Sequence, residues 1–256
     1  MRIWFVLVLL AGLLAGCAGA VETPAETARP SDTPAPSATI QWFPSTATPT
    51  PRAVVEATPT PDPRPGLGEV TLTDDFSDEA GWEVGRSAAG TIGYGVNELT
   101  LAVSQARGRL YSFRKDTSLA DFYLEMDVLP SLCRGQDVFG VLFRVQNATS
   151  FYRVLFNCQG QIRLERVSGG EPRVVVNWTA LGQVSIGASQ PFRVGIWMGG
   201  QQIRILVNDV LQLEAKDSAY KSGGLGVYAF SGGDTPLTVN FSALTVRAVD
   251  AGSPAP

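Results

Sequence analysis

The chain of 256 residues contains no histidine. That absence removes the commonest general base, the usual zinc ligand and every Ser-His-Asp or Cys-His arrangement. Paired carboxylates remain available for catalysis. An excess of positive charge is missing too: 20 Lys and Arg stand against 24 Asp and Glu, for a formal charge of -4. Nucleic acid is bound through clustered positive charge, so no nucleic-acid partner is expected. No window sustains apolar residues at i, i+3 and i+4, which predicts little helix. A glycine loop that could cradle phosphate is absent, since Gly223-Gly224 and Gly232-Gly233 read as turn glycines, and no cofactor is expected. Cysteine is scarce, with three in all: Cys17, Cys133 and Cys158.

What is present begins with an export signal. Met1-Arg2 supplies a short positive region, and Ile3 to Leu14 is an apolar run too short to span a membrane. The ending Leu14-Ala15-Gly16-Cys17 resembles the lipobox of bacterial lipoproteins. The resemblance implies cleavage after residue 16 and a diacylglycerol on Cys17. Acyl chains bury methylenes at about 0.8 kcal/mol each, so two or three chains anchor firmly. The expected location is the outer face of a bacterial membrane, with the domain on the cell surface.

Residues 17–66 read as a stalk. Between Glu22 and Gly66 lie 11 of the 17 prolines, among many Thr, Ala and Ser. Such chain lacks the apolar content to form a core and stays extended and semi-rigid. One apolar patch, Ile40 to Pro44, interrupts it. A folded domain is expected over 67–249, with a flexible tail over 250–256.

The domain region alternates short runs rich in Val, Ile, Phe and Tyr with gaps of Gly, Asn, Ser and Pro. That is strand-and-turn grammar, and it predicts twelve to fourteen antiparallel strands in a sandwich or barrel. Asp121 to Val167 reads as a four-run meander. Phe122, Leu124, Met126 and Val128 share one face of the first run, as do Phe139, Val141, Phe143 and Val145 of the second. Tyr152, Val154 and Phe156, then Cys158, Ile162 and Leu164, continue this core face. If the four runs are neighbours joined by a turn at Asn147 to Ser150, the opposite face falls into rows. Tyr123, Arg144 and Arg153 form one; Glu125, Leu142, Leu155 and Glu165 the next; Asp127, Gly140, Asn157 and Arg163 a third. Arg144 beside Arg153 asks for compensation, which Glu125 and Glu165 can supply diagonally. Trp197 shares an outward face with Arg193 and Gly195, either as a platform for a sugar or as cover for a loop. With Cys17 assigned to lipid, Cys133 and Cys158 make an even pair in an exported protein, and the register brings them to one sheet end: a disulfide.

Several motifs are similar to the concanavalin A-like lectin/glucanase superfamily, and more narrowly to single domains on bacterial surface lipoproteins. They are DDFSDEAGW (74–82), GYGVNELTL (93–101), DFYLEMDV (121–128), FGVLFR (139–144), FYRVLFN (151–157), GGLGVYAF (223–230) and VNFSALTV (239–246). The resemblance implies an all-β jelly-roll sandwich of two curved antiparallel sheets. It does not imply an activity, because such folds host many. Glycanases of the superfamily carry an E-x-D-x-x-E-like strand motif; Glu125-Met126-Asp127-Val128-Leu129-Pro130 begins it and lacks the closing acid. Relatives also bind calcium, and the acidic opening at Asp74, Asp75, Asp78 and Glu79 offers carboxylates, although it equally suits strand-end capping and no metal site is expected.

The expectation is therefore a non-catalytic, monomeric recognition domain that binds extracellular glycan or another envelope partner. Its candidate face is Tyr123, Glu125, Asp127, Arg144, Arg153, Arg163, Glu165 and Trp197. A divergent glycoside hydrolase and a purely structural envelope module are the alternatives.

Overall fold

A computed structural model describes residues 62–182, 187–233, 236–250 and 252. Cys17, the export signal, the Ile40 to Pro44 patch and most of the stalk lie outside the described residues. Fifteen strands and no helix occupy the described part: β1 Leu67–Asp74, β2 Gly85–Ser87, β3 Gly90–Tyr94, β4 Leu99–Val103, β5 Arg109–Phe113, β6 Phe122–Leu132, β7 Val138–Asn147, β8 Ser150–Asn157, β9 Gln161–Ser168, β10 Glu171–Ala180, β11 Phe192–Gly199, β12 Gln202–Val207, β13 Val210–Lys216, β14 Gly224–Phe230 and β15 Leu237–Val249. The count slightly exceeds the expectation because strands as short as β2 carry no periodicity to read.

All pairings are antiparallel and fall into two sheets. Nine strands form the first, in the order β13-β12-β11-β6-β15-β4-β3-β2, with β1 also paired to β15. Six form the second, in the order β10-β9-β8-β7-β14-β5. The thirteen-residue β15 reaches two partners along one edge: Leu237 to Phe241 pair with β4, and Leu244 to Val249 with β1. The register shifts between Ser242 and Thr245, where Ala243 takes φ 50°, and this break divides the two partners.

Alternation predicts the core correctly in most places. Leu99, Leu101 and Val103, then Phe122, Leu124, Met126 and Val128, then Val194, Ile196 and Met198, point inward from the nine-stranded sheet and are buried. Phe139, Val141, Phe143, Tyr152, Val154, Phe156, Ile162 and Leu164 meet them from the six-stranded sheet. Phe192 of β11 closes across the layers on Phe139 and Phe156, at ring-centre distances of 6.2 and 5.1 Å.

The four-run meander is corrected. β7, β8 and β9 are consecutive neighbours, but β6 lies in the other sheet between β11 and β15. Period-two patterning tells which side of a strand is apolar, not which strand lies beside it, and two inward faces look alike from sequence. The chain changes sheets through residues 133–137. Buried Asp137 fixes this corner, accepting hydrogen bonds from the backbone N–H groups of Arg134 and Gly232, both at 2.8 Å.

Cys133 and Cys158 form a disulfide, with Cα atoms 5.7 Å apart. Because Cys133 follows β6 and Cys158 follows β8, the bond joins the two sheets rather than clamping one.

At the other end of β7 a second correction appears. Phe143 pairs with Tyr152 and Asn147 with Ser150, so two extra residues bulge from β7, and Arg144 sits there at φ 47°. The bulge sends Val145 to the outer side and turns Arg144 inward, 1 % exposed. Its guanidinium donates to the carbonyl oxygens of Ala120, Gly200 and Tyr220 and pairs with Asp121 at 3.1 Å. Burial lowers its pKa, with Asp121 opposing. Arg144 is therefore a structural tie between loops, and the predicted opposition of Arg144 to Arg153 does not arise.

Candidate functional site

The predicted site residues divide between opposite sides of the sandwich. Tyr123, Glu125, Asp127 and Trp197 belong to the outer face of the nine-stranded sheet, and Arg153, Arg163 and Glu165 to the outer face of the six-stranded one. With Arg144 inside, they do not form one constellation.

On the nine-stranded sheet, Trp197 pairs with Tyr123, Gly195 with Glu125 and Arg193 with Asp127. The Trp197 ring lies along the strand over Gly199, where a Cβ would come within 2.2 Å of it. The segment just before β1 crosses this ring. Trp197 Nε1 donates to the Pro65 carbonyl at 3.0 Å, and Arg204 Nη1 to that of Pro63 at 2.8 Å. Arg64 reaches Asp209 at 2.7 Å and lies over the Tyr123 ring, 5.5 Å from its centre. Residues 62–66, read from sequence as the end of the stalk, are thus a strap on the sheet. Trp197 and Tyr123 are left 3 % and 2 % exposed. Trp197 is cover for a chain segment, not an open sugar platform.

The carboxylates on this face are occupied. Tyr123 Oη donates to Glu125 at 2.9 Å. Arg193 grips Asp127 with Nε and Nη2 at 2.7 and 3.1 Å, a bond that raises the arginine pKa further. Burial pushes the Tyr123 phenol up to about 12, against the opposing hydrogen bond from Arg64. In the acidic opening, Asp74 accepts from the Phe76 N–H, from Trp82 Nε1 and from Arg114 Nε. Asp75 and Asp78 close turns on Ser77 and Ala80. These acids cap the end of β1.

The outer face of the six-stranded sheet is organised differently. Three cross-strand rows run over it. Glu165, Arg153 and Leu142 make one; Arg163, Leu155, Gly140, Tyr228 and Tyr111 the second; Asn157, Val138, Phe230 and Arg109 the third. Two expected strand registers are corrected. The bulge at Arg144 moves Leu142 from Leu155 to Arg153. The β8–β9 register sets Glu165 opposite Arg153 rather than Leu155, and Arg163 opposite Leu155 rather than Asn157. A cleft of about 610 Å³ opens over these rows, with Trp178 of β10 and Pro172 on its β10 side. Phe230 and Trp178 supply ring surface, while Tyr228, 5 % exposed, lies beneath Arg153.

Each ring carries a guanidinium. Arg153 lies 5.1 Å from the centre of Tyr228, Arg163 5.7 Å from Trp178 and Arg109 5.9 Å from Phe230. Glu165, 3 % exposed, is held between two of them. Arg153 approaches its Oε2 at 2.6 Å through Nη2 and at 2.8 Å through Nε; Arg163 Nε approaches Oε1 at 2.8 Å. The Arg163 Nε–H points off that oxygen, so the contact is an ion pair without a hydrogen bond. Burial also raises the Tyr228 phenol well above its ordinary range. Asn157 serves structure: its Oδ1 accepts from the N–H groups of Gln159 and Gln161 and closes the β8–β9 turn.

Sequence reasoning overlooked Tyr228, Phe230, Trp178 and Arg109. The signal for two of them was present, since Leu225, Val227 and Ala229 alternate with Gly226, Tyr228 and Phe230. What it could not supply was the neighbour that brings them beside Arg153.

No family model matches the chain, and no curated protein matches it. Its fold has solved counterparts. A carbohydrate binding module, CBM66, from Bacillus subtilis superposes with TM-score 0.51 at 17% identity, covering 67% of this chain and 98% of its own. The fold is the concanavalin A-like jelly roll. A Bacillus subtilis protein with a galectin-like fold gives 0.55 at 13%, covering 71% and 97%. A Bacillus licheniformis beta-glucanase gives 0.53 at 10%, covering 72% and 99%. The concanavalin A-like sandwich thus spans the described strands, while identities this low speak to architecture alone.

Proposed function

We propose that this is a non-catalytic recognition domain that binds extracellular carbohydrate in the cleft on the six-stranded sheet. The observation that carries the proposal is the cleft itself: about 610 Å³, with the half-buried rings of Phe230 and Trp178 in its lining and side-chain donors around them. Aromatic faces stack on the apolar faces of sugar rings while forked donors take up hydroxyls. The counterpart on the other side, around Trp197, is covered by residues 63–65. Architectural counterparts that include a carbohydrate binding module and a beta-glucanase support a saccharide as ligand.

Binding rather than hydrolysis is favoured by the carboxylates. Retaining glycosidases place two carboxyl groups about 5–5.5 Å apart. Glu165 is the one carboxylate among the residues lining the cleft, and both of its oxygens are engaged by arginines. A second reading, a divergent glycoside hydrolase, draws on a separate opening of about 440 Å³ lined by Glu98, Asp127 and Asp209. Turnover of any glycan that disappears in Asp127→Asn would favour it.

The same proposal includes lipid attachment at Cys17 and display on a bacterial cell surface, on the strength of the Leu14-Ala15-Gly16-Cys17 sequence. Mass spectrometry of the mature N-terminus tests that part; an unmodified Cys17 overturns it. For the cleft, glycan-array binding by the full-length protein is expected to fall at least tenfold in Trp178→Ala and Phe230→Ala, with both variants still folding cooperatively. Binding that survives both changes overturns the site.

A further inference from the structure

The cleft is rich in donors and poor in acceptors. Arg109, Arg153 and Arg163 bring three guanidiniums to it, each with five N–H groups and no acceptor. Against them stands one carboxylate, and both of its oxygens are already engaged by Arg153 and Arg163. Among the described residues the side chains of Arg109 and Arg163 donate no hydrogen bond, although Arg163 is ion-paired to Glu165, and the Arg163 Nε–H is buried with no acceptor in line. That nitrogen lies beyond a ligand's reach beside Glu165; the donors a ligand can meet are on Arg109, which is exposed, and on the 24% of the Arg163 side chain that remains exposed. The ring contacts of Arg109 and Arg163 position both cations without consuming an acceptor.

Charge points the same way. The chain carries -4 overall, yet this recess holds three positive groups against one negative. A neutral sugar would bring hydroxyls that donate as much as they accept. The uncharged amide acceptors left to receive them are those of Gln136 and Gln159, since the Asn157 and Gln161 oxygens are already hydrogen-bonded. A carboxylate brings acceptors only, and its two oxygens match the planar guanidinium fork. Extent adds a further constraint. Arg163 on β9 and Arg109 on β5 are separated by four inter-strand steps, or about 19 Å at roughly 4.8 Å per step. One small anion cannot bridge them, whereas a chain carrying acid groups at intervals can.

We infer that the ligand of this cleft is an acidic glycan, a polymer of uronic acid residues whose carboxylates meet Arg109 and Arg163. The inference rests on the proposal that the cleft binds carbohydrate. Its test separates the two: titration calorimetry of the full-length protein with polygalacturonate, alginate and hyaluronan, with methyl-esterified polygalacturonate as the same backbone without charge, and with chondroitin sulfate. At least one polyuronate is expected to bind ten times or more tighter than the neutral ester. Arg109→Gln and Arg163→Gln should each erase most of that preference, and added salt should weaken it. Equal binding of acid and ester, abolished by Trp178→Ala, overturns the acidic assignment and leaves the carbohydrate site standing. A preference for sulfated over carboxylated chains overturns the carboxylate assignment. Binding of no glycan, or binding indifferent to Trp178→Ala, overturns both.

Discussion

The two outer faces of the sandwich start from the same material, a strand surface with aromatic rings, arginines and carboxylates in alternate positions, and are completed differently. On the nine-stranded sheet most polar side chains find partners within the protein, Arg204 Nε and Asn240 Oδ1 excepted. Arg193 takes Asp127, Tyr123 takes Glu125, and the carbonyl oxygens of Pro63 and Pro65 take Arg204 and Trp197. On the six-stranded sheet Phe230 and Trp178 line an open cleft, and the Arg163 Nε–H is left without an acceptor in line. Side chains paired within a face add to its stability, whereas a cation left open to solvent in a cleft can still meet a ligand. The difference lies in an added segment of chain, not in residue type.

The strongest way to break this comparison is to remove the corresponding tryptophans. Trp197→Ala should cost about 3–5 kcal/mol in urea unfolding, as expected for a buried Trp. Trp178→Ala should cost about 1 kcal/mol or less while abolishing glycan binding. Equal stability losses would mean that both faces are structural. Next in size is the disulfide, which belongs to neither face. Replacing Cys133 and Cys158 together by Ala should cost about 3 kcal/mol for a closed loop of 25 residues, lowering the unfolding midpoint in whichever face reports it.

A smaller effect, roughly 1–3 kcal/mol, is expected from deleting residues 62–65, since the lost hydrogen bonds contribute about 1 kcal/mol each. Trp197 fluorescence should shift to the red and cleft binding should stay unchanged; a binding change would couple the faces. The last difference is silent at neutral pH. Tyr123 is raised from 10.0 to about 12, chiefly by burial. A raised pKa favours the neutral phenol in the folded state, so its stabilisation is complete below pH 10 and is lost as pH climbs from 10 towards 12. Ultraviolet titration should show a tyrosine ionising late in the intact protein and nearer 10 once the strap is deleted, with Tyr228 unaffected.

Much of this architecture was legible in the sequence. Alternation identified the inward faces of β4, β6, β8 and β11 residue by residue, and cysteine arithmetic identified the disulfide. The partition into sheets was not legible, because β6 and β7 show the same inward pattern whether they lie side by side or face each other. Nor was the bulge at Arg144, a charged residue at an alternating outward position that turns in only because loop carbonyl oxygens await it. The strap was hidden by composition: Pro63-Arg64-Pro65 reads as stalk, and only Trp197 and Arg204 make it part of the domain. For the site, the charges Arg153, Arg163 and Glu165 were visible. Their aromatic companions come from β10 and β14, far along the chain.

The strap also brings the two ends of the folded domain together. The Asp250 N–H donates to the Gly66 carbonyl at 2.9 Å, and Gly66 takes φ 70°, with no room for a Cβ beside the Asp250 carbonyl. The entering and leaving chains therefore share one corner, on the side of the nine-stranded sheet. A domain whose two ends meet can be spliced into a loop of a host protein or re-opened elsewhere by circular permutation. Coupled to a bead or a sensor surface through either end, it would hold the Trp178 cleft on the far side, turned toward the bulk solution.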